Sequence, residues 1–212
     1  MTKFFEAASK WSDVGLWHKE IGYWESASGP GSTLDVASKS IELIESTIGD
    51  NNIRSILDLG CGDWNWMQKL KPLFDDVTYE GWDAGQTIID LNNENHSDKN
   101  ITFHRKDIIT DEYPQVDLIV CRDVLFHLPI EDGLEVVKKI RSSGAKYLIS
   151  TSYNDVKENI ILTKSLDNVN GFCFYMINLL IEPFNLDDSL TLSIEESVKC
   201  KESNRHICLF KL

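Results

Sequence analysis

The chain has 212 residues, 42% hydrophobic and 26% charged, and a formal net charge of −13. That length and balance suit one globular unit with a real core and exclude a disordered chain. The acidic excess argues against a nucleic-acid partner, because binding a phosphate backbone needs a basic surface to release counterions.

The first fifty residues stand apart. In "WSDVGLWHKEIGYWESASGPGSTL" three tryptophans and a tyrosine sit in a Gly/Ser-rich setting. This reads as a hydrophobic cap on a sheet edge or as a lid over a ligand, since ligands lie outside the carboxyl ends of parallel strands. The opening "MTKFFEAASKW" has no apolar signal-peptide core. A helix is predicted over 34–48, with Ser32 or Thr33 as N-cap. From Arg54 onward, short β-rich runs alternate with amphipathic stretches, the pattern of parallel βαβ units. Strands are predicted over 54–59, 77–83, 101–107, 116–121 and 146–151, and helices over 64–73, 86–93 and 130–142. "SLTLSIEES" and "RHICLFKL" then form an antiparallel pair. The expected fold class is α/β, a doubly wound seven-stranded sheet, mostly parallel, with residues 1–50 as an N-terminal helical cap and 51–212 as core. "GFCFYMINLLI", from Gly171, is too short to span a bilayer. Five cysteines, odd in number and never spaced CxxC, read as reduced thiols, so a cytoplasmic location is expected.

The stretch "SILDLGCGDWNWM", Ser55 to Met67, poses the chemical question. A turn that opens a helix offers free N–H groups to a phosphate or a carboxylate. A dinucleotide fingerprint needs a third glycine, but Asn65 stands there and Asp63 follows the second glycine, which repels a pyrophosphate. A P-loop is excluded because no Gly-Lys-Ser/Thr follows. What remains is an adenosine cofactor with a cation and an amino-acid end, for which Asp58 and the N–H groups of Gly60 and Gly62 are suited.

"LDLGCGDWNWM" resembles the first motif of class I S-adenosylmethionine-dependent methyltransferases, acid-x-Gly-x-Gly closing the first strand. Asp83, in "YEGWDAGQ", stands where that family holds the ribose hydroxyls, and a carboxylate can accept both hydrogen bonds of a cis-diol. Asp107, in "FHRKDII", matches the position that takes the adenine amino group, with the Ile108 N–H on the ring. "DLIVCRDVLFHLP" resembles the fourth motif. The resemblance implies a Rossmann-like sheet and S-adenosyl-L-methionine as methyl donor, with S-adenosylhomocysteine as product. It places Asp58, Gly60, Cys61, Gly62, Asp83, Asp107, Ile108 and Cys121 at the cofactor, the two cysteines as small apolar fillers.

"GYWESASGPGSTL", "CGDWNWM", "CRDVLFHL", "STSYND" and "EPFNL" together resemble small methyltransferases found beside or fused to glycosyltransferases, including glycan-building proteins of bacteria and algal viruses. This narrower resemblance implies a carbohydrate or glycan acceptor, a sugar hydroxyl that is glycan-linked or nucleotide-linked, with rhamnose-like deoxysugars among the candidates. Methyl transfer to a hydroxyl asks the protein for positioning and for a base. His127 is the first candidate base and Asp123 the second; a helix beginning at Asp123 would put both on one face. The structural alternatives are His127 packed under the cofactor and Asp123 as an N-cap. Arg122 pairs either with the cofactor carboxylate or with a surface acid. Trp24, Glu25, Ser26 and Ser28 of the cap, with Tyr153 and Asn154 beyond the fifth strand, are the candidate acceptor contacts. No spacing specifies a metal, although Asp123 leaves a divalent ion on a vicinal diol open. The competing readings are a small-molecule or lipid O-methyltransferase with a different cap, and a non-catalytic cofactor-binding partner, for which a degraded first motif would be the sign. That motif is intact, and "CRDV" is not the Asn/Asp-Pro-Pro-aromatic clamp of a nucleic-acid base methyltransferase.

Overall fold

The computed structural model describes residues 2–159, 174–199 and 204–212. Its helices are α1 (Lys3–Glu20), α2 (Ser38–Asn51), α3 (Gln86–Asn95) and α4 (Ile130–Ser142). The strands are β1 (Ser55–Leu59), β2 (Thr78–Asp83), β3 (Ile101–Arg105), β4 (Leu118–Cys121), β5 (Tyr147–Ser152), β6 (Leu190–Lys199) and β7 (Asn204–Lys211). They form one seven-stranded sheet in the order β3-β2-β1-β4-β5-β7-β6. The first five strands run parallel, and β7 lies antiparallel between β5 and β6. This is the doubly wound sheet that the alternating pattern predicts.

Helices on both faces explain why the central strands are nearly all apolar. Successive side chains alternate faces: Leu57, Ile119 and Leu148 pack with Val136, Val137 and Ile140 of α4. Ile56, Val120 and Ile149 join Leu43 and Ile44 of α2 and Ile88 of α3 on the other face. α4 has the predicted bounds and α3 runs two residues longer.

Two expectations change. The helix predicted over 64–73 is a run of 3-10 turns at Met67–Asp75, preceded by Trp64 at φ +56°. Pro72 lies inside that run, where it has no N–H to donate and crowds the preceding turn. The buried Trp64 indole packs against Tyr79 and Phe103 at 5.6 and 5.4 Å between ring centroids, and this packing outweighs helical geometry. α2 starts at Ser38 with Ala37 as an N-cap that makes no side-chain bond, so neither Ser32 nor Thr33 caps it. The cap is helical as expected: before α2 it contains an 18-residue helix, α1, begun by the Thr2 hydroxyl, which accepts the Phe5 N–H.

Cys61, Cys121 and Cys208 are free and buried, whereas Cys173 and Cys200 lie outside the described residues, as does the start of "GFCFYMINLLI". Among the described residues no helix is long and apolar enough to cross a membrane.

Candidate functional site

The sheet order changes direction between β1 and β4, which opens a crevice at the carboxyl ends of the strands. A cavity of about 340 Å³ lies there, within the range of small-molecule sites. On its β1–β3 side it is lined by Gly60, Gly62, Asp83, Ala84, Asp107 and Ile108, and on its β4–β5–β7 side by Arg122, Asp123, Phe126, His127, Tyr153 and Arg205. Phe5, Ala8, Trp11 and Ser12 of α1 form the cover.

The β1 loop needs its glycines. Gly60 has φ +81°, and a Cβ there would come within 2.4 Å of Val124 Cγ2. A Cβ on Gly62, at φ +55°, would lie 1.8 Å from Ser28 Oγ. The loop N–H groups, however, are already used: Gly60 and Cys61 donate to the Trp82 carbonyl, and Gly62 donates to Asp83 Oδ2 at 3.1 Å. The N–H groups expected to meet a ligand instead tie the loop to β2, because no helix follows to leave them free.

Asp83, at the end of β2, is the hub of this side. Its carboxylate also accepts the Gly85 N–H at 2.9 Å and the Ser12 hydroxyl at 3.3 Å. Burial raises its pKa, against the pull of these bonds. Asp107 accepts the Ile109 N–H on one oxygen and the Thr2 N–H, at 2.9 Å, on the other. A half-buried carboxylate, Asp83, and a buried one, Asp107, at the ends of neighbouring strands over a floor of glycine and Ala84, suit the hydroxyls and exocyclic amine of an adenosine.

Asp58, Cys61 and Cys121 do not line the cavity, contrary to expectation. Asp58 is buried beneath the loop and accepts the Tyr79 hydroxyl at 2.6 Å, so it is a strut between β1 and β2. Burial pushes its pKa up to about 7, with the Tyr79 bond pulling the other way. Burial likewise pushes both thiols up, which suits filler rather than reactive roles.

Most of the predicted acceptor contacts also have other duties. Asp63 gathers the cap: it accepts Ser26 Oγ at 2.7 Å, the Ala27 N–H at 2.8 Å and Ser28 Oγ at 3.3 Å, and pairs with Lys19 Nζ at 2.6 Å. Glu25 accepts the Leu34 N–H and Asn65 Nδ2, Trp24 stacks on His18, and Asn154 bonds Ser193. Ser28 and Tyr153 line the cavity; Trp24, Glu25, Ser26 and Asn154 do not.

His127 lines the cavity, but Asp123 has φ +57°, Leu125–His127 is a single 3-10 turn and α4 begins only at Ile130. The two residues therefore do not share a helix face, and Asp123 caps no helix. Its Oδ1 accepts the Thr151 hydroxyl at 2.8 Å; its Oδ2 lies 2.7 Å from Arg205 Nη1 and 3.1 Å from Arg122 Nη1. Arg122 is buried, so its acidic partners are internal and not on the surface. Phe126, Tyr153 and Phe174 form a T-shaped aromatic wall beside this group, with centroids 5.2 to 6.2 Å apart.

Sequence reasoning missed Ser12, Trp11, Phe126, Phe174 and Arg205. The helical spacing of Phe5, Ala8 and Ser12 was the available signal for the α1 face. Arg205 carried none, being brought to Asp123 across 82 residues. Among the described residues no cluster of three or more His, Cys, Asp or Glu has the makings of a metal site.

Residues 56–144 match a family model described as a methyltransferase domain. No curated protein matches the chain. Among solved structures, magnesium protoporphyrin IX methyltransferase of Synechocystis with bound S-adenosylhomocysteine shares the fold at TM-score 0.64 and 17% identity, over 96% of this chain and 98% of that one. The N-methyltransferase NodS of Bradyrhizobium japonicum, in complex with S-adenosylhomocysteine, aligns at TM-score 0.61 and 15% identity over 85% and 88%. A SAM-dependent methyltransferase of Anabaena variabilis aligns at 0.63 and 12% over 100% and 96%.

Proposed function

Since the chain carries a class I S-adenosylmethionine-dependent methyltransferase domain, we propose that it is an O-methyltransferase whose acceptor is a sugar hydroxyl, glycan-linked or nucleotide-linked. The observation that carries this reading is the β4–β5–β7 side of the cavity, where an aromatic wall of Phe126, Tyr153 and Phe174 stands beside the Asp123–Arg205 pair. Aromatic faces pack on the C–H surfaces of a pyranose, while a carboxylate and a guanidinium receive and donate hydroxyl hydrogen bonds. A largely hydrocarbon lipid acceptor would use the wall but little of the ion pair.

On the opposite side, Asp83 takes the ribose hydroxyls and Asp107 the adenine amine, with Ile108 against the ring. The bound cofactor supplies a methyl on a sulfonium and leaves as a neutral thioether. The chain's own task is to align the acceptor oxygen and take its proton as the new C–O bond forms. His127 is the base. Asp123, whose two oxygens are engaged by Thr151, Arg205 and Arg122, is a fixed hydroxyl acceptor and the second choice as base.

Residues 1–50 act as the lid of the cofactor half, supported by the Ser12 bond to Asp83 and the Thr2 bond to Asp107. Scattered free thiols support a cytoplasmic site of action. The narrower sequence resemblance supports work alongside, or fused to, a glycosyltransferase.

A methyl-donor assay across nucleotide sugars and short oligosaccharides tests this function. Transfer to a carbohydrate hydroxyl is expected, and transfer confined to protein, nucleic acid or a non-carbohydrate small molecule overturns it. Thermal stabilisation by S-adenosylhomocysteine, and none by NAD, is expected in the same preparation.

A further inference from the structure

Behind the acceptor side of the cavity lies a buried set of four charges. Glu196 of β6 is 1% exposed and does not line the cavity. Its Oε2 lies 2.9 Å from Arg205 Nε, in ion-pair contact but off the hydrogen-bonding line, and its Oε1 lies 3.4 Å from Arg122 Nη2. The Ser40 hydroxyl donates to Glu196 Oε1 at 2.5 Å and accepts from Arg122 Nε at 2.8 Å. Each guanidinium thus bridges Glu196 behind and Asp123 in front, and both arginine side chains are at most 3% exposed. Two guanidiniums face two carboxylates, so the set is formally neutral.

We infer that this side of the cavity is built for an uncharged acceptor group, and that Glu196 is the positioning residue that sets the preference through Arg122 and Arg205. The inference rests on the sugar-hydroxyl reading and narrows it to neutral sugars at this subsite. A ligand carboxylate or phosphate placed here would leave the buried set net negative, and an uncompensated charge away from water is costly. A hydroxyl adds no charge. The set also has capacity left over: among the described residues Arg205 Nη2 has no hydrogen-bond partner, and Asp123 Oδ1 accepts only from Thr151. A guanidinium with a donor to spare, paired at 2.7 Å with a carboxylate that has acceptor capacity left, matches a hydroxyl group, which offers both. Without the Glu196 charge, the same two arginines would outnumber their acids and form an anion site.

The test needs no knowledge of the acceptor. Protein saturated with S-adenosylhomocysteine is titrated with inorganic sulfate at constant ionic strength in a calorimeter. Wild type is expected to show no saturable binding. E196Q, isosteric but uncharged, is expected to bind sulfate at least tenfold more tightly than wild type, whereas S40A, which removes the hydrogen bond and keeps the charge, behaves as wild type. Equal sulfate binding by wild type and E196Q, or a folded E196Q that gains none, overturns the inference. Should E196Q not fold, D123N removes the other carboxylate of the set and is held to the same expectation. In methyl-transfer assays that pair each neutral glycoside with its uronate, a preference for the uronate overturns the neutral-acceptor inference while the sugar reading stands. Absence of transfer to any carbohydrate overturns that reading, and the sulfate titration still judges the charge balance.

Discussion

The two sides of the cavity are built by different routes. On the β1–β3 side every key residue sits at or just past the end of a strand: the glycine loop after β1, Asp83 closing β2, Asp107 two residues past β3. On the β4–β5–β7 side the group is assembled from afar, with Ser40, Arg122, Asp123, Thr151, Glu196 and Arg205 converging from α2, the β4 loop, β5, β6 and β7. The first side is a property of local chain geometry and the second a property of tertiary packing. In the function proposed above, the chemistry follows the same division: the strand ends hold the cofactor and the assembled side chooses the acceptor.

The largest expected effect falls on the assembled side. His127→Ala should lower methyl transfer by about 10²- to 10⁴-fold, the span of general-base catalysis, with S-adenosylhomocysteine affinity within about threefold of wild type. Near-normal turnover would place the base elsewhere. On the strand-end side, Asp83→Ala should weaken S-adenosylhomocysteine binding by about 100-fold in calorimetry, about 3 kcal/mol, because it removes charge-assisted acceptors and frees the Gly62 and Gly85 amides. A change below about threefold would remove Asp83 from the cofactor contacts.

Asp58 tests whether a motif acid on this same side is strut or ligand. Burial raises its folded pKa to about 7, above the ordinary carboxylate value of 3.8, so the folded state holds the proton more tightly. Its stabilising contribution is full below the unfolded pKa and lost as pH rises through the interval to about 7. Asp58→Asn should therefore flatten the decline of unfolding free energy between about pH 4 and 7, by an amount on the order of 4 kcal/mol, while cofactor affinity moves less than about threefold. A large affinity loss with an unchanged pH profile would make Asp58 a ligand. The smallest effect belongs to Lys19→Ala: the Lys19–Asp63 pair is 40% exposed at the lysine, so its loss should cost under about 1 kcal/mol by chemical denaturation.

Much of the fold was legible beforehand because parallel strands buried on both faces must be apolar throughout, and amphipathic helices must alternate with them. The strand ends, and with them Asp83 and Asp107, follow from that pattern. Trp64 and the 3-10 run after it did not, because aromatic packing against Tyr79 and Phe103 overrides what the local residues favour. The bounds of α1 within the helical cap were obscured by its composition, in which Gly15 interrupts the helical pattern and aromatic side chains mask the Phe5, Ala8 and Ser12 face.

From residue order alone came the sheet, its antiparallel closing pair and the small-residue turn that excludes a phosphate-bearing cofactor, because each depends on neighbours within a few positions. Tertiary structure alone decided that Asp58 is a strut, that Asp63 clasps the cap and that Asp123 stands between two arginines. Those roles depend on which side chains meet across long separations, and periodicity carries no record of such meetings. Glu196 is the clearest case: an acid on a strand until packing sets two guanidiniums against it.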